Sequence, residues 1–380
     1  MIKKEISEIK KLFKPDTNTI SRMVGCYVNA EKEKIAAIGG NFLALPEEQS
    51  FKYFEIFSKC LSGTVGRNLL NLDFPINTEE EGGTQEFLLK LRDSKLRDEA
   101  ILDAFYDKVI ESYDYVGNYL ILLVHAVYDV PGKAEDGSTM EDASEEVYEH
   151  VLCCICPVDL DKAALSFDAA SGNFTVRERD WIVDPPMNGF LFPAFNDRAS
   201  DIHAVLYYSK KPDDINESFI DSVLGATTPL TAGTQKESFK TLLEDGLEEE
   251  CSYELVRSIQ DRVCEITREA AEDPEPVVFD KQEVIRVLSD SGVTPEKLTA
   301  FEKKYDEEIG AETTLQATNI IDTGKTKVKT TGVEIKCNAE DIDILETRII
   351  DGRRCIVIPL DNGVEINGIK VIPGAITDMD

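Results

Sequence analysis

Residues 119–128, YLILLVHAVY, constrain the fold more than any other segment of the chain. Apart from His125, each of these ten residues is aliphatic or aromatic. A strand with one solvated face alternates apolar and polar residues, so this unbroken run predicts a central strand that is covered on both faces. A bilayer-spanning helix needs about 20 apolar residues, and no run in the sequence reaches that length, so we expect no membrane span.

The segments that follow this run predict antiparallel sheet in the middle of the chain. Short apolar segments flank polar turns there, as at 165–167 with 174–176 and at 189–195 with 202–208. Helical periodicity is concentrated before and after these hairpins. The expected fold class is therefore α+β, with a central, mostly antiparallel sheet, flanking helices, a helical pair and a small C-terminal β-unit.

Changes in composition predict three parts in the chain. Residues 1–272 are expected to form the main α+β domain, in which the Gly-, Asp- and Glu-rich stretch 131–146 is a flexible acidic loop. The linker 273–276 leads to a helical pair at 277–310. Alternating apolar residues between short turns predict a small β-unit at 315–373.

The charge balance restricts the partners of the protein. The 41 basic and 73 acidic residues give a net charge of −32. Such a chain repels phosphate, so nucleic acid is disfavoured and a protein partner is expected, with a basic one complementing the charge. One basic cluster stands out, on the helix whose apolar stripe includes Ile6 and Ile9. Its lysines are the candidate interaction residues, although a solvated helix face is the simpler interpretation: Lys3, Lys4, Lys10 and Lys11.

The cysteines indicate a reducing compartment. Nine are present, an odd number, mostly within apolar runs, and no secretory signal precedes them. We therefore expect reduced thiols and a cytoplasmic protein. His150, Cys154 and Cys156 share one face of a predicted strand and are candidate ligands for a soft metal. A structural zinc site needs four ligands, and buried cysteines pack like small apolar residues, so we expect core packing, no metal and no cofactor.

Sequence motifs of common enzymes are absent. The chain has no Gly-x-Gly-x-x-Gly, complete P-loop, Gly-x-Ser-x-Gly or His-Glu-x-x-His pattern, and it has three histidines. Arg179, Asp180 and Arg198 lie in predicted loops near the single tryptophan, Trp181, and are the candidate catalytic residues. Ordinary connections between strands are the preferred interpretation of these loops.

Several segments resemble known families. Residues 3–13 (KKEISEIKKLF), 26–29 (CYVN), 184–186 (DPP), 189–195 (GFLFPAF) and 291–294 (SGVT) resemble an uncharacterised family, a domain of unknown function of anaerobic Gram-positive bacteria. That resemblance implies a bacterial protein and names no activity. Residues 219–225 (FIDSVLG), with the terminal strands 332–335 and 368–371, are also similar to the nucleoid-associated protein family that has a 37-kDa member.

These observations favour a non-enzymatic, intracellular protein-interaction module. Nucleoid association is the first alternative, in which the basic N-terminal helix or a DNA-bound partner supplies the contact. The second alternative is an unrecognised hydrolase that uses the loops with Arg179, Asp180 and Arg198. The sequence leaves the oligomeric state open.

Overall fold

The protein is described by a computed structural model that covers residues 1–133, 139–273, 275–360 and 363–371. The chain divides into two compact units. The first contains Met1–Lys240 and Glu272–Val278, and the second contains Thr241–Ala271 and the residues from Phe279 onward. Residues 241–271 thus lie in the second unit, whereas the sequence predicted them to be part of the main domain.

The first unit combines a large sheet with helices. Its strands are β1 (Ile20–Val28), β2 (Lys34–Gly40), β3 (Leu69–Asp73), β4 (Asn118–Lys133), β5 (Thr139–Leu160), β6 (Leu165–Asp168), β7 (Asn173–Val176), β8 (Trp181–Val183), β9 (Asn188–Phe192), β10 (Ala194–Asn196), β11 (Ala199–Asp201) and β12 (Ala204–Ser209). Its helices are α1 (Lys3–Lys10), α2 (Glu47–Cys60), α3 (Thr84–Asp93), α4 (Glu99–Ser112) and α5 (Glu217–Phe219), and α5 continues as the π-helical turn Ile220–Leu224. Helix α6 (Ala232–Leu247) leads into the second unit.

The large sheet has the strand order β2-β1-β4-β5-β9-β12-β3, with β8 paired to β5. The pairs between these strands are antiparallel. Together with the helices, this sheet confirms the α+β class. Strand β4 contains residues 119–128 and lies between β1 and β5, as the unbroken apolar run predicts.

Both faces of β4 are buried. Ile121 and Leu123 join a cluster with residues of α3 and α4, whereas Leu120 and Leu122 join a second cluster with residues of α1 and α2. Because successive side chains of a strand point to opposite faces, helices on both sides bury both sets of side chains, which favours apolar residues at successive positions. The physical cause of the run YLILLV is therefore this helix–sheet–helix layering.

Strands β4 and β5 form a long hairpin that runs from the pair Asn118–Val158 to the pair Lys133–Thr139. The strands therefore occupy much of the stretch 131–146 that was expected to be a loop, and residues 134–138 of it lie outside the described part of the chain. The expectation rested on low apolar content. Backbone pairing continues from the buried ladder into this polar stretch, because hydrogen bonds between strands do not depend on side-chain polarity.

The second unit is built from short helices and two-stranded sheets. Its elements are α7 (Tyr253–Glu269), α8 (Lys281–Asp290), α9 (Pro295–Glu308), β14 (Leu315–Gln316), α10 (Ala317–Ile320), β15 (Lys325–Thr330), β16 (Val333–Asn338), β17 (Glu346–Ile350), β18 (Arg353–Val357), β19 (Val364–Ile366) and β20 (Ile369–Val371), with β13 (Val278–Phe279) at the boundary. The pairs β15–β16, β17–β18 and β19–β20 are antiparallel. Helix α8 begins at a capping box between Asp280 and Glu283, and α9 begins with Pro295.

Candidate interaction surface

A β-ribbon continues the ladder between β5 and β8. Leu160 pairs with Trp181, and beyond them the backbone N–H of Asp161 donates to the carbonyl of Asp180 at 2.9 Å. The N–H of Arg177 then donates to the carbonyl of Ala164, also at 2.9 Å, before the β6–β7 hairpin begins. We call residues 161–181 the arm. Strands β6 and β7 pair with each other and not with the large sheet, so the outer part of the arm is a separate two-stranded sheet.

One face of the arm is apolar and uncovered. Leu165 pairs with Val176, and Phe167 pairs with Phe174, so these four side chains share one face of the hairpin. Their exposed fractions are 69%, 78%, 60% and 71%. In β6 the alternate residues Ser166 and Asp168 are less exposed than their apolar neighbours. All four residues of β7 are exposed. The apolar face of an amphipathic hairpin is usually the buried one, and here it is left uncovered.

The size of this face distinguishes it from scattered surface residues. If each side chain has roughly 200 Å² of surface, the exposed fractions leave on the order of 500 Å² of contiguous apolar area. Patches of that size on a protein surface commonly mark a contact with another molecule. We call Leu165, Phe167, Phe174 and Val176 the apolar face of the arm.

A groove of about 620 Å³ lies where the arm leaves the sheet. Tyr53 and Ile56 of α2 form one wall, and Leu120 and Val183 of the sheet, with Pro185, form the other. Lys52 and Glu55 at the rim pair with each other at 3.0 Å. Lys59 also lines the groove. The groove is thus an apolar recess with a charged rim, and Val183 joins it to strand β8 at the base of the arm.

The candidate catalytic residues do not meet in one pocket. Arg179 lies at the base of the arm, where its guanidinium donates to the carbonyl oxygens of Asp161 and Leu160, and the carbonyl of Asp180 belongs to the same ladder. Arg198 follows β10 and binds Glu8 at 3.1 Å and the carbonyl of Pro131 at 2.9 Å.

The two positions lie near opposite ends of β4. Asn118 of β4 is paired with β5 close to the arm, whereas Pro131 contacts Arg198. Strands rise about 3.3 Å per residue, so the thirteen residues between these positions separate them by about 40 Å. Arg179 and Asp180 hold the arm to the sheet, and Arg198 holds α1 to the hairpin β4–β5.

His150, Cys154 and Cys156 lie on one face of β5, as the spacing predicts, and all three are buried. The ring of His150 stacks on Tyr148 with centroids 4.4 Å apart. Burial lowers the pKa of His150 to about 3 and raises the pKa values of the Cys154 and Cys156 thiols. Among the described residues, no group of three or more His, Cys, Asp or Glu side chains is placed to hold a metal ion.

The basic cluster lies on the outer face of α1. Lys3, Lys4 and Lys11 are exposed and Lys10 is half-buried, whereas Ile6 and Ile9 on the other face are buried. This is the orientation expected for an amphipathic helix at the surface of a domain.

Comparisons with known proteins give a family without an assigned activity. Among the described residues, no helix has the length and apolar character needed to cross a bilayer. A search of curated proteins finds no match. A family model described as a domain of unknown function matches residues 1–369, which include the arm, the large sheet and nearly all of the second unit. The chain therefore belongs to the DUF4317 family.

Proposed function

We propose that the chain is a protein-interaction module whose contact surface is the apolar face of the arm. The observation that carries this proposal is the exposed apolar face of the β6–β7 hairpin, in which Phe167 and Phe174 are 60% and 71% exposed. An isolated two-stranded hairpin is marginally stable in water, so a partner that covers the apolar face would stabilise the arm as well as bind it.

The charge of the arm favours a second copy of the chain as the partner. Residues 161–181 contain three basic and four acidic residues, whereas the whole chain has a net charge of −32. The acidic excess therefore lies almost entirely outside the arm. A basic partner would gain little charge complementarity at this nearly neutral surface, whereas a second arm offers the same apolar face.

The length of the arm supports the same choice. From Leu160 to the turn at Ala170 the ribbon spans ten residues, or about 33 Å in extended conformation. The Debye length at physiological ionic strength is about 8 Å. Two arms packed antiparallel would hold the acidic remainders of the two chains, the residues outside the arms, several Debye lengths apart. Each turn would then lie near the base of the other arm, where the groove beside Val183 is found.

An intracellular, bacterial setting is part of this proposal and rests on the free cysteines and the family resemblance. Nucleoid association has less support, because direct contact with DNA would depend on the four N-terminal lysines in a chain whose net charge repels phosphate, and a DNA-bound partner would have to supply the contact otherwise. The alternative of a hydrolase that combines Arg179, Asp180 and Arg198 has less support, since Arg198 lies far from the adjacent Arg179 and Asp180.

Sedimentation velocity over a range of protein concentrations tests the proposal. The wild type is expected to form a dimer of twice 42.4 kDa, and the double variant Phe167→Ser/Phe174→Ser is expected to be monomeric. The matched control is Ile76→Ser, which removes an 84% exposed apolar side chain outside the arm and should leave the dimer intact.

A wild type that stays monomeric at every concentration would overturn the choice of partner. A dimer that survives in the double variant would overturn the arm as its contact surface. Circular dichroism of each variant shows whether the loss of the dimer reflects the surface and not unfolding.

A further inference from the structure

Ser21, His125 and Glu149 form a hydrogen-bonded chain on the large sheet. The Oγ of Ser21 lies 2.5 Å from Nδ1 of His125, and Nε2 of His125 lies 2.7 Å from Oε1 of Glu149. An ionised carboxylate can only accept, so Nε2 carries the hydrogen and Nδ1 accepts from the serine hydroxyl. The Ser21 hydroxyl also lies 3.2 Å from the carbonyl of His125, which is a second acceptor for it.

A β-bulge brings the serine to the histidine. In the pairing of β1 with β4, Ile20 is opposite Ala126 and Arg22 is opposite His125, which leaves Ser21 without a partner in the register. Ile20 and Met23 pack in the same apolar cluster although they are three residues apart, a spacing that a regular strand does not allow. Such bulges redirect a side chain and are frequent next to active sites.

The three groups differ in exposure in a way that suits a reaction at the serine. Ser21 is exposed, the ring of His125 is fully buried, and the Glu149 side chain is 31% exposed. Ser21 thus lies at the surface, while the buried ring keeps its orientation between the hydroxyl and the carboxylate.

The electrostatic surroundings keep His125 neutral near pH 7. Burial lowers its pKa, the hydrogen bond from Nε2 to Glu149 opposes that effect, and the positive charges of Lys95 and Arg92 add to it. These two cations come from the end of α3 and the residues that follow it. Lys95 and Leu96 both have positive φ, of 54° and 56°, and the carbonyl of Leu96 accepts from Nε of Arg22 at 2.8 Å. This fixed, strained turn holds positive charge beside the histidine.

We propose that Ser21 is an activated nucleophile that accepts acyl groups from esters, with His125 as its general base and Glu149 as the residue that positions His125. The other two histidines are differently placed, because His203 pairs with Glu79 and His150 stacks on Tyr148. The site lies on the large sheet and is distinct from the arm. The activity is additional to the proposed interaction.

The reaction balances with water as the second substrate. Oγ of Ser21 attacks the carbonyl carbon of the ester while its proton passes to Nδ1 of His125. The C–O bond of the ester breaks, and the departing alkoxide takes that proton and leaves as an alcohol. Water then attacks the acyl-serine, its proton passes through Nδ1 back to Oγ, and the carboxylic acid is released.

Two measurements on the 380-residue chain test the site. They are covalent labelling by a fluorophosphonate, mapped by peptide mass spectrometry, and hydrolysis of p-nitrophenyl acetate. The wild type is expected to be labelled at Ser21 and to hydrolyse the ester. Ser21→Ala should lose both, whereas Ser7→Ala should change neither, since Ser7 is an exposed serine whose hydroxyl donates to the carbonyl of Lys3.

Glu149→Gln tests the positioning role without removing the buried ring. We expect kcat to fall at least about tenfold with KM unchanged, because the amide no longer fixes the tautomer of His125. The wild-type rate should rise with pH and level off below pH 6.5, the ordinary pKa of histidine, as His125 loses its proton. Absence of label at Ser21, or full activity in Ser21→Ala, would overturn the proposal. An unchanged rate and pH profile in a folded Glu149→Gln would assign the chain of hydrogen bonds a purely structural role.

Discussion

The rings of Phe167 and Phe174 face each other across the arm with centroids 5.6 Å apart and an interplanar angle of 63°. Both rings nevertheless remain mostly exposed. The pair therefore fixes the orientation of two large side chains before any partner arrives. Preorganised aromatic side chains lose little conformational entropy on binding, which makes this pair the expected energetic centre of the contact.

Exposed and buried phenylalanines should differ sharply in their effect on stability. Phe174→Ala should change the free energy of unfolding by less than about 0.5 kcal/mol at low protein concentration, because the ring packs against little in the monomer. Phe190→Ala should lower it by about 3–5 kcal/mol, since Phe190 is 1% exposed and packs against Phe105 and Phe219. Urea unfolding followed by circular dichroism measures both. Equal losses would mean that the apolar face of the arm is covered in the monomer.

Salt should strengthen self-association. Each chain carries a net charge of −32, while the contacting arms are nearly neutral, so the principal electrostatic effect in the dimer is repulsion between the acidic remainders of the two chains. Raising the ionic strength from about 0.01 M to about 1 M shortens the Debye length from about 30 Å to about 3 Å and removes that repulsion. The dimer dissociation constant from sedimentation equilibrium should therefore fall as salt rises. A dimer that weakens with salt would indicate that ion pairs, and not the apolar face, hold it together.

His150 should make the protein sensitive to acid. Its pKa is lowered from 6.5 to about 3 by burial, so the unfolded state binds a proton more readily than the folded state. Stability is then complete above pH 6.5 and is lost as the pH falls towards 3, by about 2–3 kcal/mol at pH 4.5. His150→Leu should lose this pH dependence.

The same variant should be at least as stable as the wild type at pH 7. Both ring nitrogens of His150 are buried without a hydrogen-bond partner, and a leucine has no such groups to desolvate. Urea unfolding at a series of pH values compares the two proteins. Parallel stability curves for the wild type and the variant would contradict the assignment of acid sensitivity to His150.

The strands of the sheet could be predicted where the order of apolar and polar residues depends directly on which faces are buried. The run 119–128 predicts a strand covered on both faces because it lacks the polar alternation of a strand with one solvated face. The hairpin at 165–176 was predictable from its turn, and its alternation shows that one face is apolar. The alternation does not show which face is covered, since that depends on whether another strand or helix packs there.

The contact between Ser21 and His125 could not have been predicted from the sequence. It requires a bulge at one residue of β1 and the register of β1 against β4, whose residues lie about a hundred positions further along the chain. The reverse holds for Arg179, Asp180 and Arg198. Their residue types suit a ligand site, and the sequence alone does not show what they bind. Once the strands are placed, Arg179 is seen to donate to backbone carbonyls and Arg198 to the Glu8 carboxylate.

The edge position of β3 has a consequence for synthesis of the chain. Its partner in the sheet is β12, whose residues follow more than a hundred positions later. At about 5–20 residues per second, a ribosome needs roughly 7–27 s to deliver that partner. Leu69, Leu70 and Leu72 are buried in the folded protein. During that interval they lack their neighbouring strand β12. A nascent chain of this kind depends on early shielding of β3 by other segments or by a chaperone. Insertions between β3 and β12, which lengthen the interval, should reduce the yield of folded protein more than its final stability.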